Sequence, residues 1–416
     1  MKILMFGWEN RPFYSGGLGK VCGDLAETLA GKGVEVLFFM PKTAATVRKT
    51  ESSVIDTNDL KINDSDCLKN RMIAKTAIDT LISPYMNSNS YYEAYSRRIG
   101  VNAKTDLYGH DIYREVLRYA ENAHAISKIT QYDLVHAHDW MSIPAGIAAR
   151  DTRNVSFVIH IHSLESDRSA WRIDEKIYGI EKFGMIEADH IIAVSEYTKK
   201  KIIDQYGIAP EKISVIYNGA SVSEPGTPVR KRKNKKNVLF IGRLTEQKGP
   251  CYFIEAASKV IAADSDVRFF IAGDGELAGE LKKKVSRLDM DEYVFFTGFI
   301  DETEKLYAMC DLYVMTSVSE PFGMTAIEAV NSGVPVIISK TSGVAEVLKR
   351  APKIDFRDTD ALAFQILKIL HDDEIRDLIV NECREDINVL TWEKAAHEIV
   401  EVYNRCLEAD GYSVSH

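Results

Sequence analysis

The sequence predicts an α/β protein with two doubly wound parallel sheets in tandem, and three observations carry that prediction. Apolar runs of strand length alternate along most of the chain with amphipathic stretches of helical spacing. The alternation breaks at 221–237, where Pro225, Pro228 and the basic run RKRKNKK stand among almost nothing apolar, and then restarts. The chain has 416 residues, more than one hydrophobic core normally organises. Residues 1–220 and 238–390 are therefore read as two domains, with 221–237 as a solvated basic linker. A nuclear signal or a contact with an anionic surface are the other readings of that run.

In the first domain, 2–7 reads as a buried strand, and 19–31 places Val21, Leu25 and Leu29 on one helical face before a second strand at 34–40. Gly16, Gly17 and Gly19 are expected in the intervening loop, where the missing side chains let backbone N–H groups approach a ligand. From 44 to 89 the periodicity is poor and Ser, Asn and Asp are frequent, which predicts an elaborated surface region. A helix follows at 112–129, with Val116, Tyr119, Ala123 and Ile126 in step. Two strands then end in histidines, 132–137 at His138 and 155–161 at His162, and strand-terminal polar residues face the ligand crevice of such a sheet. Strands at 187–195 and 213–219 flank a helix at 196–206.

The second domain restarts with strands beginning near Val238, Val267, Val294, Asp311 and Val334, separated by amphipathic helices. Helices at 360–371, 373–388 and 391–407 finish the chain. Two of its strand ends carry the chemistry. The stretch 238–249, VLFIGRLTEQKG, runs from an apolar strand straight into Arg243 and Lys248. A planar guanidinium and a mobile ammonium suit a diphosphate that is held and then released. The stretch 316–333, TSVSEPFGMTAIEAVNSG, puts Glu320 in a loop and Glu328 on the helix behind it. Gly323, Met324 and Thr325 stand at that helix start, whose unfilled N–H groups and partial positive charge favour an anion.

The composition narrows the function class. A hydrophobic fraction of 45% and a charged fraction of 27% are typical of a soluble globular protein, and a net charge of −9 argues against a nucleic-acid binder. Six scattered cysteines form no CxxC pair and no Cys–His cluster at metal-ligand spacing, so reduced thiols and no metal are expected. No apolar run approaches the ~18–20 residues that cross a bilayer, and the amino terminus lacks the pattern of a signal peptide, so the cytoplasm is expected. Asp64-Ser65-Asp66 and Asp264-Ser265-Asp266 match a DxD metal pattern, but 61 acidic residues make such matches cheap, and both read as surface loops.

These motifs, in this order, resemble those of the retaining glycosyltransferases with two facing Rossmann-like domains, the GT-B fold. YSGGLGKV (14–21), VHAHDW (135–140) and IHSLESDRSAW (161–171) are most similar to bacterial glycogen or α-glucan synthases. The likeness covers nearly the whole chain and is weakest at 44–130. The chain departs from many α-glucan synthases at Ser15, where they carry Lys.

The resemblance implies a nucleotide-sugar donor, ADP-glucose or UDP-glucose, an α-1,4-glucan acceptor, no metal, and a last helix (391–416) crossing back onto the first domain. It implies that Arg243, Lys248 and the helix start at Gly323–Thr325 hold the diphosphate, that Glu328 reaches the ribose hydroxyls, and that Glu320 lies against the sugar. Gly16, Gly17, His138 and His162 would close from the other domain. Sibling transferases with a small sugar, sugar-phosphate or lipid acceptor share these motifs. A nucleotide-sugar epimerase would share the phosphate clamp but need a carboxylate acid and base, and a non-catalytic sensor would lose Arg243, Lys248 or Glu320.

Overall fold

The computed structural model describes residues 1–7, 17–42, 54–56, 73–79, 112–169, 172–220, 235–300 and 302–411. The first half forms one sheet from β1 (Lys2–Phe6), β2 (Glu35–Lys42), β3 (Val54–Asp56), β4 (Ile73–Asp79), β5 (Leu134–His138), β6 (Ser156–Ile161), β7 (His190–Ala193) and β8 (Ile213–Val215). Their order is β3-β4-β2-β1-β5-β6-β7-β8, and every neighbouring pair is parallel. The second half forms another from β9 (Lys236–Ile241), β10 (Val267–Ala272), β11 (Val294–Gly298), β12 (Leu312–Val314), β13 (Val336–Ser339) and β14 (Lys353–Ile354), in the order β11-β10-β9-β12-β13-β14, again parallel.

Each sheet has a switch point at its middle, between β1 and β5 in the first and between β9 and β12 in the second. A crevice opens at such a switch point, outside the carboxyl ends of the strands, and it is the ligand-binding place of a doubly wound sheet. His138 ends β5, Arg243 and Lys248 follow β9, and Glu320 follows β12. Four side chains picked from sequence thus stand at the two switch points.

The cores explain why the strands lie where they do. β1 and β5 are buried along nearly their whole length, as parallel strands covered on both faces must be. One face of the first sheet packs Val135, Ala137, Ile159 and Ile161 against Tyr119 and Ala123 of the helix Ile112–Ile129. The other face packs Ile3, Leu134, Val158 and Ile192 against Leu25 and Leu29 of the helix Gly17–Gly31 and against Ile399, Val402 and Tyr403 of the last helix, Trp392–Ala409. The chain's final helix therefore covers the first sheet. Met324, at the start of a second-half helix, packs against the cores of both halves.

Several sequence expectations need correction. Val54–Asp56 and Ile73–Asp79, inside the stretch read as surface elaboration, are strands that extend the sheet beyond β2. Strands of three and seven residues at the end of a sheet are fixed by ladder pairing, which leaves little trace in periodicity. Gly17 and Gly19 lie in the first turn of the helix Gly17–Gly31, not in the loop before it. The first N–H groups of a helix lack intrahelical partners in any case, so glycine costs less there than in a helix interior. The expected helix at 196–206 is α-helical over Glu196–Lys201 and continues as a π turn over Ile202–Tyr206. Asp64-Ser65-Asp66 and Gly16 lie outside the described residues. Asp264 accepts from the Asp266 backbone N–H and pairs with His371 at 3.0 Å, as a surface turn does. No described helix is long and apolar enough to cross a membrane.

Candidate active site at the strand ends

The second half of the site is built on β9 and β12. Beyond β9 the backbone stays paired, Gly242 N–H to Ala272 O at 3.0 Å and Leu244 N–H to Asp274 O at 2.9 Å, so Arg243 leaves from a fixed base. A single 3-10 turn, Glu246–Lys248, then brings the chain to Gly249 at φ +63°, which starts the helix Pro250–Ala263. A Cβ at Gly249 would stand 2.2 Å from the Thr316 carbonyl oxygen, so only glycine lets these two loops approach. Gln247 stitches them: its backbone carbonyl accepts from Val318 N–H at 2.8 Å and its buried amide donates to Ser319 O at 3.2 Å.

That approach delivers Lys248 Nζ to Glu320 Oε2 at 2.7 Å, with Ser317 Oγ donating to the same oxygen at 3.0 Å. The Glu320 backbone is pinned as well, its N–H on Thr341 O at 3.0 Å and its carbonyl accepting from Gly343 N–H at 2.9 Å. Arg243 Nη2 donates to Gln247 Oε1 at 3.4 Å. Behind Glu320, Gly323 at φ +115° opens the helix Met324–Asn331, whose first residue is Met324. The Thr325 hydroxyl is held by Tyr313 Oη at 2.7 Å, which makes it part of the support of the helix start. Glu328, one turn further on, accepts from Tyr307 Oη at 3.4 Å and from Lys20 Nζ of the first half at 3.1 Å.

The first half supplies His138 and His162, whose Nδ1 and Nε2 meet at 2.9 Å. His138 is fully buried, and burial lowers its pKa to about 3; burial likewise holds His162 well below the ordinary imidazole value. Both rings are therefore neutral near pH 7. Asp139 follows at φ +57° and accepts from the backbone N–H of His162 at 2.7 Å and of Ser163 at 3.2 Å, tying the ends of β5 and β6 together. Burial raises its carboxyl to about 7, opposed by the Arg168 guanidinium.

The structure thus joins Lys248 to Glu320, His138 to His162 and Glu328 to the first half. Gly17 stands at the helix start after β1. Sequence reasoning missed Lys20, although it stands within the quoted motif YSGGLGKV, and it missed the contacts made by Ser319. The Ser319 hydroxyl donates to Asp167 Oδ1 at 2.6 Å and meets Tyr197 Oη at 2.9 Å and Lys201 Nζ at 3.2 Å, all from the first half, while Lys201 pairs with Asp167. Glu346 accepts from the backbone N–H groups of Glu196 and Tyr197 at 2.9 and 2.6 Å, so a second-half carboxylate occupies the start of a first-half helix. The only local signal for these was the run SLESDR that contains Asp167.

Such an arrangement offers cations and a helix start for a diphosphate, a carboxylate beside them, and neutral imidazoles on the opposing sheet. Residues 2–213 match the family described as the starch synthase catalytic domain, and residues 227–386 the family described as glycosyl transferases group 1. A glycosyltransferase of Methanocaldococcus jannaschii is 31% identical over 304 residues, covering 68% of this chain and 78% of that one. The glycogen synthase of Mycobacterium tuberculosis is 27% identical over 414 residues, covering 97% and 94%. Among solved structures, the sucrose-phosphate synthase of Thermosynechococcus elongatus superposes with a TM-score of 0.74 at 22% identity, covering 98% of this chain and 99% of that one. With both halves matched and the two switch points furnished as they are, the chain belongs to the glycosyltransferases of the GT-B fold, with a starch synthase catalytic domain in its first half and a group 1 domain in its second.

Proposed function

We propose that the protein transfers glucose from ADP-glucose or UDP-glucose onto an α-1,4-glucan with retention at the anomeric carbon. The observation that carries the reading is the convergence of Lys248 and Glu320 at 2.7 Å beside the start of the helix Met324–Asn331. The bond from C1 to the diphosphate oxygen breaks, and a bond forms from C1 to the acceptor oxygen on the same face. The acceptor proton passes to the departing diphosphate, so the products are a nucleoside diphosphate and a glucan one glucose longer. Arg243, Lys248 and the amides at Gly323, Met324 and Thr325 take the charge that builds on the diphosphate, in a site where fixed donors need not reorganise. Glu328 accepts from the two ribose hydroxyls, exchanging Lys20 for them. Glu320, fixed by Lys248 and Ser317, lies along the sugar, while His138, His162 and the glycines Gly16 and Gly17 close from the first half. Neutral imidazoles suit that place, since an oxocarbenium-like sugar is not helped by another positive charge.

The glucan acceptor is supported by the near full-length likeness to a glycogen synthase. A small acceptor is the second reading, favoured by the structural likeness to a sucrose-phosphate synthase and by the weak resemblance at 44–130. No catalytic metal is assigned, and the cytoplasmic placement rests on the scattered cysteines. The test is one incubation with each donor, with and without glycogen or maltooligosaccharides, following nucleoside diphosphate release. Release that requires glucan supports the synthase. Release stimulated instead by a small sugar, sugar phosphate or lipid overturns the glucan acceptor, and donor conversion with no acceptor at all points to an epimerase.

A further inference from the structure

The loop that begins at His162 and the loop that carries Glu320 belong to different halves, and one buried carboxylate touches both. Asp167, 1% exposed, lies in the helical turn Glu165–Arg168 that follows β6. Its Oδ2 accepts from the backbone N–H of Leu164 at 2.8 Å, while its Oδ1 accepts from the Ser319 hydroxyl at 2.6 Å. Asp139 already holds the N–H groups of His162 and Ser163, so three consecutive amides of the first wall rest on buried carboxylates. On the second wall, Ser319 directly precedes Glu320, and its carbonyl accepts from the Gln247 side-chain amide at 3.2 Å. The residue after Glu320, Pro321, accepts through its carbonyl from Ser195 Oγ of the first half at 2.6 Å. Both chain neighbours of Glu320 are therefore held from the first half.

The chemistry of the Asp167 contact suits a spacer rather than a simple adhesive. A hydroxyl 2.6 Å from a carboxylate oxygen makes a charge-assisted hydrogen bond, short and directional, so it fixes a separation as well as attracting. As an acceptor-only group with donors on both oxygens, Asp167 cannot be replaced by an amide without setting donor against donor at one wall. Its charge is also paired with Lys201 inside its own half. Parting of the walls thus removes the Ser319 hydroxyl without stranding a buried charge, and the contact can open and re-form as donor and products pass.

We propose that Asp167 is a positioning residue for sugar transfer, its two oxygens setting the distance between the His162 wall and the Glu320 wall. The inference rests on the reading that these loops flank the donor sugar, and it is the same for either nucleotide and for any acceptor. Asp167 touches neither sugar nor diphosphate in this role; it acts through Leu164 and Ser319. A shift of about 1 Å between groups that must meet a reacting centre can lower the rate up to ~10²-fold. Arg243 and Lys248 rise from the second half alone, so loss of the spacer should leave donor binding largely intact.

The test compares Ser319→Ala, Asp167→Asn and the double variant by initial rates of nucleoside diphosphate release across a donor series, well below their melting temperatures. Ser319→Ala leaves Asp167 with Leu164 and Lys201, so it probes the spacer with the carboxylate still paired. Its kcat should fall roughly ten- to a hundredfold, with the donor KM within about threefold of wild type. The double variant should be no slower than Asp167→Asn, because both changes act through one contact. A Ser319→Ala kcat within about twofold of wild type, a loss carried by KM, or a double variant whose losses multiply overturns the role. Amide exchange of the nucleoside-diphosphate-bound protein gives a readout without turnover. Asp167→Asn, a first-half change, should speed exchange across 316–323 of the second half roughly tenfold. Unchanged exchange there overturns the spacer, whereas wild-type protein that turns over neither donor with any acceptor overturns the proposed function instead.

Discussion

Replacing Lys248 by alanine tests the centre of the site. The change removes an ammonium 2.7 Å from Glu320 Oε2 and leaves that oxygen with Ser317 Oγ at 3.0 Å. The Glu320 side chain is only 10% exposed, but Lys248 is 22% exposed and water can enter where its side chain was. The stability cost is therefore on the order of 1–2 kcal/mol, below the full penalty of a buried unpaired charge. The catalytic cost is larger, because the ammonium is most needed when charge builds on the leaving diphosphate. Deleting one preorganised donor of this kind lowers kcat roughly 10²–10³-fold, or about 2.7–4 kcal/mol. Since the interaction strengthens in the transition state, the donor KM should change much less than kcat. Initial rates of nucleoside diphosphate release over a donor series, with a thermal melt of the same preparation, read both quantities. A folded Lys248→Ala protein within about threefold of the wild-type kcat would remove Lys248 from the diphosphate site.

Other perturbations follow from the same geometry. Gly249→Ala places a Cβ 2.2 Å from Thr316 O at φ +63°, and the strain should lower stability by at least about 2 kcal/mol, seen as a fall in the denaturant midpoint; an unchanged midpoint would contradict the close approach. Glu328→Ala should raise the donor KM about tenfold with a smaller effect on kcat, whereas the partly exposed Lys20–Glu328 pair adds no more than about 1 kcal/mol to stability; an unaltered KM would exclude Glu328 from the ribose. The His190 pKa is lowered to about 4 by burial and then by Arg405, Lys199 and Lys212, so its contribution is whole above its ordinary value near 6.5 and is lost as pH falls through 4. His190→Gln should flatten the dependence of stability on pH across that window by less than ~1.4 kcal/mol per pH unit, the ring being only half-buried, and equal slopes in the two proteins would disprove the shift. Transfer should survive exhaustive treatment with a chelator, measured as product release, and a loss restored by added metal would overturn the metal-free mechanism.

Central strands were legible because burial on both faces forces continuous apolar runs, as in LMF of β1 and VLF of β9. The helix Ile112–Ile129 was legible to the residue because Val116, Tyr119, Ala123 and Ile126 hold a helical period and are all buried. Legibility failed where neighbours decide. β4 is a strand because β2 offers it an edge, β3 because β4 does, and β14 has two residues, too few for any pattern. Glu196–Tyr206 has helical composition throughout, and nothing local marks the passage to a π turn at Ile202.

The site divides along the same line. Arg243, Lys248 and Glu320 could be chosen from sequence because each lies in the loop that follows a strand, and a parallel sheet puts the residues after its strands at one edge. The contacts that hold the halves together could not be chosen. Lys20 and Glu328 are 308 positions apart, Asp167 and Ser319 are 152, and neither residue of a pair carries a sign of the other. The histidines fall between these cases. HAH in β5 and HIH in β6 each have the period of two that puts both rings of a strand on one face, so two pairs were readable. Their assembly depends on register: β5 against β6 sets His138 opposite His160, and a slip of one residue would send the β6 rings to the other face of the sheet. Spacing along the chain is thus a poor detector of a side-chain cluster whose members come from adjacent parallel strands, because the crossover between them varies in length while the register is fixed.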